Sequence, residues 1–207
     1  MWSSGVSFAD VNGDGWLDIY VCKSGKPGGE LRHNELFINQ GLDANGQLQF
    51  IEQAEAYGIA DEGLSAHAAF FDYDKDGDLD MYLLNNSLRP VGGFDIRPGL
   101  REIRDPFGGN KLYRNELINE SASRTSPDSY RDGSTKPVTF TDVSEQAGIY
   151  GSNIGYGLGV TIGDVNKDGW QDIHISNDFF ERDYLYINQQ DGTFKDCLLY
   201  TSPSPRD

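Results

Sequence analysis

The chain has 207 residues, with 33 acidic against 17 basic side chains and a formal net charge of −16. That balance argues against a nucleic-acid partner, because phosphate backbones require Lys and Arg. No run approaches the ~20 apolar residues of a membrane span, while 12% aromatic content supplies enough large side chains for a core.

Met1 stands five residues ahead of a short apolar run, Val6-Ser7-Phe8-Ala9, with no basic segment or cleavage site before it, so the chain reads as an internal fragment. An acid-dense loop of nine residues follows: Asp10, Val11, Asn12, Gly13, Asp14, Gly15, Trp16, Leu17, Asp18. Ile19-Tyr20-Val21 leads out of it, and Cys22, a single Cys beside a strand, reads as small packing. Further on come Leu36-Phe37-Ile38-Asn39, Phe50-Ile51-Glu52 and Tyr57-Gly58-Ile59. The sequence then repeats itself. Ala68-Ala69-Phe70-Phe71 enters a second loop, Asp72 to Asp80, which Met81-Tyr82-Leu83 leaves; Leu112-Tyr113-Arg114-Asn115, Phe140-Thr141-Asp142 and Ala147-Gly148-Ile149 follow. Val160-Thr161-Ile162-Gly163 enters a third loop, Asp164 to Asp172, followed by Ile173-His174-Ile175, Leu185-Tyr186-Ile187-Asn188 and Phe194-Lys195-Asp196.

Each loop carries side-chain oxygens at positions 1, 3, 5 and 9 and a glycine at position 6. A hard cation such as Ca²⁺ takes six to eight oxygens, and the glycine permits the sharp turn that aims them inward. Asx-rich runs also form plain turns without metal. That reading does not explain why several carboxylates crowd together, since two like charges 4 Å apart repel by roughly 4 kcal/mol at an effective dielectric of about 20. The expected ligands are Asp10, Asn12, Asp14 and Asp18; Asp72, Asp74, Asp76 and Asp80; and Asp164, Asn166, Asp168 and Asp172. Backbone carbonyls at position 7, from Trp16, Asp78 and Trp170, would complete the sets, because tryptophan has no side-chain oxygen. Three structural Ca²⁺ sites are therefore expected. Eleven acidic residues lie in the loops, and three divalent ions would bring the net charge from −16 to −10. An EF-hand is excluded: position 12 is Val21, Leu83 or Ile175 rather than Glu, and β-branched and aromatic runs flank the loops in place of helices.

Each unit thus predicts four short strands, the first two joined by a calcium loop. Four-stranded units in tandem are β-propeller blades. The expected fold is all-β, about three blades of a larger propeller, with repeats at 1–62, 63–152 and 153–196. An open arc of blades exposes strand edges, so the isolated chain is expected to be marginal or prone to associate. Nine of the 17 basic residues fall between Arg89 and Lys136, in two long Gly-, Pro- and Ser-rich connections of the second unit. These read as solvated insertions; were they to recognise a ligand, Arg97, Arg101 and Arg104 would be the first to meet an anionic glycan.

These motifs resemble the FG-GAP/VCBS repeats of integrin-α-like propellers, from about Val6 to Asp196. Ser176-Asn177-Asp178-Phe179, with Leu185-Tyr186-Ile187-Asn188 and Asp191-Gly192-Thr193-Phe194, is similar to the variant that precedes an ASPIC/UnbV domain in relatives of cartilage acidic protein. The resemblance implies an extracellular or cell-surface propeller for adhesion or ligand recognition, its partner a protein or glycan and its remaining blades on the same longer chain. A propeller accompanying a polysaccharide-active enzyme, or a sugar-binding lectin propeller, is the alternative. The Kd of extracellular calcium modules, roughly 10⁻⁴–10⁻³ M, also suits an external location.

The last eleven residues, Cys197 to Asp207, match residue for residue the translation of a transposase-library sequencing adaptor, and 197–207 is expected to be foreign to the fold. No enzymatic activity is expected. His33, His67 and His174 have no neighbouring nucleophile and base, and neither a Gly-x-Ser-x-Gly, a His-Glu-x-x-His nor a phosphate-binding glycine loop is present.

Overall fold

The computed structural model describes residues 2–25, 33–88, 99–117, 139–179 and 181–198. Among the described residues, twelve strands fall into three four-stranded antiparallel sheets, each a simple meander in chain order. Blade 1 contains β1 (Trp2–Ala9), β2 (Asp18–Ser24), β3 (Glu35–Leu42) and β4 (Leu48–Glu52). Blade 2 contains β5 (Leu64–Phe71), β6 (Asp80–Asn86), β7 (Lys111–Asn115) and β8 (Phe140–Asp142). Blade 3 contains β9 (Gly157–Gly163), β10 (Asp172–Asn177), β11 (Tyr184–Asn188) and β12 (Phe194–Asp196). The all-β expectation holds, and the sheets have the form of propeller blades. No helix among the described residues is long and apolar enough to cross a membrane.

Strand periodicity explains the stacking. Successive side chains on a strand point to opposite faces, and β6 uses both. Met81 and Leu83 join Tyr20, Cys22, Leu36, Ile38 and Tyr57 in a core between blades 1 and 2. Tyr82 and Leu84 join Ile173, Ile175, Tyr184 and Tyr186 in a second core between blades 2 and 3. The middle sheet is therefore covered on both faces. Cys22 is buried in the first core as a packing residue and is a free thiol. On blade 1's other face Phe8 remains 64% exposed, whereas its counterpart in blade 2, Phe70, packs against the first core.

Two backbone contacts recur at the blade junctions. Phe140 N–H donates to Tyr57 C=O at 2.9 Å, and Phe194 N–H to Ala147 C=O at 2.8 Å. Each carbonyl belongs to the residue just before the glycine of the Tyr57-Gly58-Ile59 or Ala147-Gly148-Ile149 turn. Gly58 and Gly148 have φ of +76° and +75°, and a Cβ on Gly148 would lie 2.9 Å from the Phe194 carbonyl oxygen. Left-handed backbone and a neighbouring blade leave no room for a side chain.

In the described part of the β6–β7 insertion, Arg101 and Arg104 have partners within the chain, although most of residues 99–107 are exposed, as a solvated insertion would be. Arg101 donates from Nε and Nη2 to Glu181 Oε1 at 3.0 and 2.7 Å, and the Glu181 side chain is wholly buried. Arg104 donates to the Ile149 carbonyl. Both arginines tie the insertion to the body, a use that sequence spacing could not show. Arg97, the rest of 89–98 and the second connection, 118–138, lie outside the described residues. Cys197 N–H donates to Leu185 C=O at 2.8 Å, as Val143 N–H donates to Leu112 C=O at 2.9 Å one blade earlier. The remainder of the expected foreign tail, 199–207, is outside the described residues.

Gly148→Ala should destabilise the chain by about 3 kcal/mol in urea denaturation, through left-handed strain plus the contact with Phe194. Gly46→Ala, at φ +77° with open space around the added carbon, should cost about 1 kcal/mol. Equal losses would show that the junction tolerates the extra atom.

Candidate metal centres

Each loop closes a first hairpin, so the strand register places position 9 opposite the residue that enters the loop: Ala9 against Asp18, Phe71 against Asp80, Gly163 against Asp172. Two left-handed residues make the turn. Position 6 has φ of +89°, +100° and +87° at Gly15, Gly77 and Gly169, as the glycine pattern requires. Position 4 is also left-handed, at Gly13 (+69°), Lys75 (+60°) and Lys167 (+62°), and the two lysines gave no sequence signal of it.

The position 9 carboxylates are the most buried of the set. Asp18, Asp80 and Asp172 are 0–1% exposed. One oxygen of each accepts the N–H of loop position 2: Val11 at 3.0 Å, Tyr73 at 3.1 Å and Val165 at 2.9 Å. The other accepts the N–H of the asparagine on the third strand: Asn39 at 2.8 Å, Asn115 at 2.8 Å and Asn188 at 2.9 Å. Burial pushes the Asp18 carboxyl up to about 6 and the Asp80 carboxyl up to about 8, against the opposing pull of these N–H groups. A nearby cation would hold both ionised.

The third-strand asparagines form a bridging set whose role the acid spacing of the loops does not reveal, although all three stand in the repeated sequence. Asn115 Nδ2 donates to Leu79 C=O in its own loop and to Val11 C=O of blade 1, at 3.1 and 3.0 Å. Asn188 Nδ2 donates to Tyr73 C=O of blade 2 at 2.8 Å. Asn39 Nδ2 donates to Leu17 C=O at 3.1 Å.

Positions 1, 3 and 5 differ between loops. In loop 1 the Asp10 oxygens accept the N–H of Asp14 (3.0 Å) and of Gly15 (2.8 Å), and Asp14 accepts Trp16 N–H (2.8 Å) and the Asn12 amide (2.9 Å). Loop 3 repeats this arrangement with Asp164, Asn166, Asp168, Gly169 and Trp170. The N–H of Trp170, with the Asn166 amide, holds the exposed Asp168 carboxyl below its usual range. Loop 2 replaces the asparagine with Asp74 and loses that amide donor. Gly77 N–H reaches Asp72 Oδ2 at 3.2 Å and Asp78 N–H reaches Asp76 Oδ1 at 3.1 Å. Asp72 Oδ1, Asp74 Oδ1 and Asp76 Oδ2 are buried and accept no hydrogen bond. Burial first, and the Asp76 charge second, raise the Asp74 carboxyl. Carboxylate oxygens of Asp72, Asp74 and Asp80 lie within 4.8 Å of one another, and Asp78 is buried in the same loop. These hard carboxylate oxygens, buried without donors, fit Ca²⁺. Asp72, Asp74, Asp76 and Asp80 would hold the ion.

Residues 10–83 match the family model of the FG-GAP-like repeat. The match runs from loop 1 through loop 2 and most of β6, so it includes two of the three acidic loops. No curated protein matches the chain.

Asn115→Ala strands the Val11 and Leu79 carbonyls and should cost about 2–3 kcal/mol in chemical denaturation, whereas Asn39→Ala should cost about 1 kcal/mol. Equal costs would mean that the bond across the junction contributes nothing.

Proposed function

We propose that these blades form a calcium-clamped segment of an extracellular or cell-surface propeller that serves adhesion or ligand recognition. The observation that carries the proposal is the set of buried oxygens without donors in loop 2, Asp72 Oδ1, Asp74 Oδ1 and Asp76 Oδ2. A divalent ion neutralises them and holds the two strands that flank the loop. Its work is structural, and the reading assigns no catalysis to these blades. The repeat match supports a propeller role. The likeness of the third unit to the repeat preceding ASPIC/UnbV domains favours a surface protein with further blades on the same chain.

Loop chemistry ranks the sites. Loop 2 offers five aspartates, several of their oxygens without donors, and binds most tightly. Loops 1 and 3 bind more weakly, since Asn12 and Asn166 replace one carboxylate and the loop's own N–H groups already occupy Asp10 and Asp164. At about 2 mM free ion and a Kd near 10⁻⁴ M, one site adds about 1.8 kcal/mol of stability.

Calcium should raise the melting temperature of the chain, and chelator should reverse the gain. Asp76→Ala should remove a larger share of it than Asp168→Ala. A melting curve indifferent to chelator would refute the clamp.

A further inference from the structure

A cavity of about 520 Å³ lies between blades 2 and 3, beside their acidic loops. This is the size of a small-molecule site. Its origin is visible in the repeat. At the first junction Tyr57, 5% exposed, fills the space under the turn, its hydroxyl within reach of Asn12. The corresponding residue at the second junction is Ala147, which lines the cavity. Leu117, two residues after the third-strand asparagine of blade 2, packs near Gly13. Its counterpart in blade 3 is Gln190, which also lines the cavity. A tyrosine and a leucine have given way to an alanine and a glutamine, opening the junction and making it polar.

The walls combine two aromatic side chains, Tyr73 and the half-buried Trp170, with fixed polar groups. The Lys75 ammonium sits over the Trp170 ring, 4.4 Å from its centroid. Arg114 is oriented by two bonds to Glu116 Oε1, at 3.0 and 2.7 Å. Asp191 accepts the Thr193 N–H and hydroxyl at 3.0 and 2.6 Å, which keep its carboxyl below the usual range. Asp74 lines the cavity on the loop 2 side. Gln146 adds an amide that can donate and accept. Among the lining residues one cation, Arg114, stands against two anions, Asp74 and Asp191, and Arg114 is already paired with Glu116, so the surroundings disfavour a phosphate or a carboxylate. Planar polar groups around a half-buried ring suit a molecule with hydroxyls at its rim and an apolar face.

We propose that this cavity binds one ring of a neutral saccharide, with Trp170 as its platform and Arg114, Gln146 and Asp191 on its hydroxyls. The proposal deepens the ligand-recognition reading above and rests on it only through Asp74, which serves both the loop and the cavity.

Calorimetric titration of the whole chain, with calcium present, uses methyl glycosides of glucose, mannose, galactose and N-acetylglucosamine as probes, and p-cresol as a phenol control. At least one glycoside should bind with millimolar Kd. Ala147→Tyr should abolish that binding by refilling the cavity as Tyr57 does, while the chain keeps a cooperative melting transition and an unchanged calcium titration. Trp170→Ala should weaken it about ten-fold. Failure of every glycoside, or glycoside binding indifferent to Ala147→Tyr, overturns the proposal. So does binding of p-cresol alone, which would make the cavity a socket for a partner's aromatic side chain. A silent calcium titration with intact glycoside binding sinks the clamp and leaves this proposal standing; the reverse pattern sinks only this one.

Discussion

Asp18, Asp80 and Asp172 each divide two buried oxygens between the loop they close and the third strand of their blade. The connection does not stop at the blade edge. Val11 donates its N–H to Asp18, and its carbonyl accepts the amide of Asn115, whose own N–H donates to Asp80. Tyr73 and Asn188 repeat the step from Asp80 to Asp172. A continuous chain of satisfied polar groups therefore runs through three blades in a region screened from water. Buried polar networks of this kind are costly when any member is left unpaired. That cost fixes the register of the loop, the third strand and the adjoining blade together.

Because the position 9 carboxylates are committed to backbone N–H groups, the electrostatic problem shifts to positions 1, 3 and 5. Loops 1 and 3 resolve much of it internally, through the asparagine amide and the tight turn. Loop 2 cannot, since every alternate residue from Asp72 to Asp80 is an acid and the neighbouring donors are already used. Like charges at this spacing repel by several kcal/mol at moderate dielectric. Arg114 is the smallest of the influences on the Asp74 carboxyl; the proposed cation would supply the larger compensation, and loop 2 is where its effect should be largest.

The strands, the loops and the threefold repeat were legible in the sequence because each has a short-range signature: alternation in the strands, glycine and acid spacing in the loops. What escaped was the destination of bonds between distant segments. Asn39, Asn115 and Asn188 were visible as a repeated letter, yet their role depends on how closely the third strand approaches the loop of its own blade and of the blade before. The same holds for Arg101, which pairs with Glu181 eighty positions away. The cavity between blades 2 and 3 was latent in the repeat, as Ala147 against Tyr57. A missing side chain becomes informative only once its counterpart is seen filling the equivalent space.

The repeat also has a direction. Position 2 of the loop is 1% exposed at Val11 and 3% at Tyr73, where the next blade covers it, but 56% exposed at Val165. Phe70 is partly buried against the preceding blade, while Phe8, its counterpart on blade 1, is open. Only the middle blade has both neighbours among the described residues, and it is also the blade whose loop lacks internal donors. A cation in loop 2 would act through Asp80 and Tyr73 on the junction with blade 3, and through Asp80 and Asn115 on the junction with blade 1. One ion in the middle loop would thus bear on two interfaces, whereas an ion in loop 1 or loop 3 would bear on one.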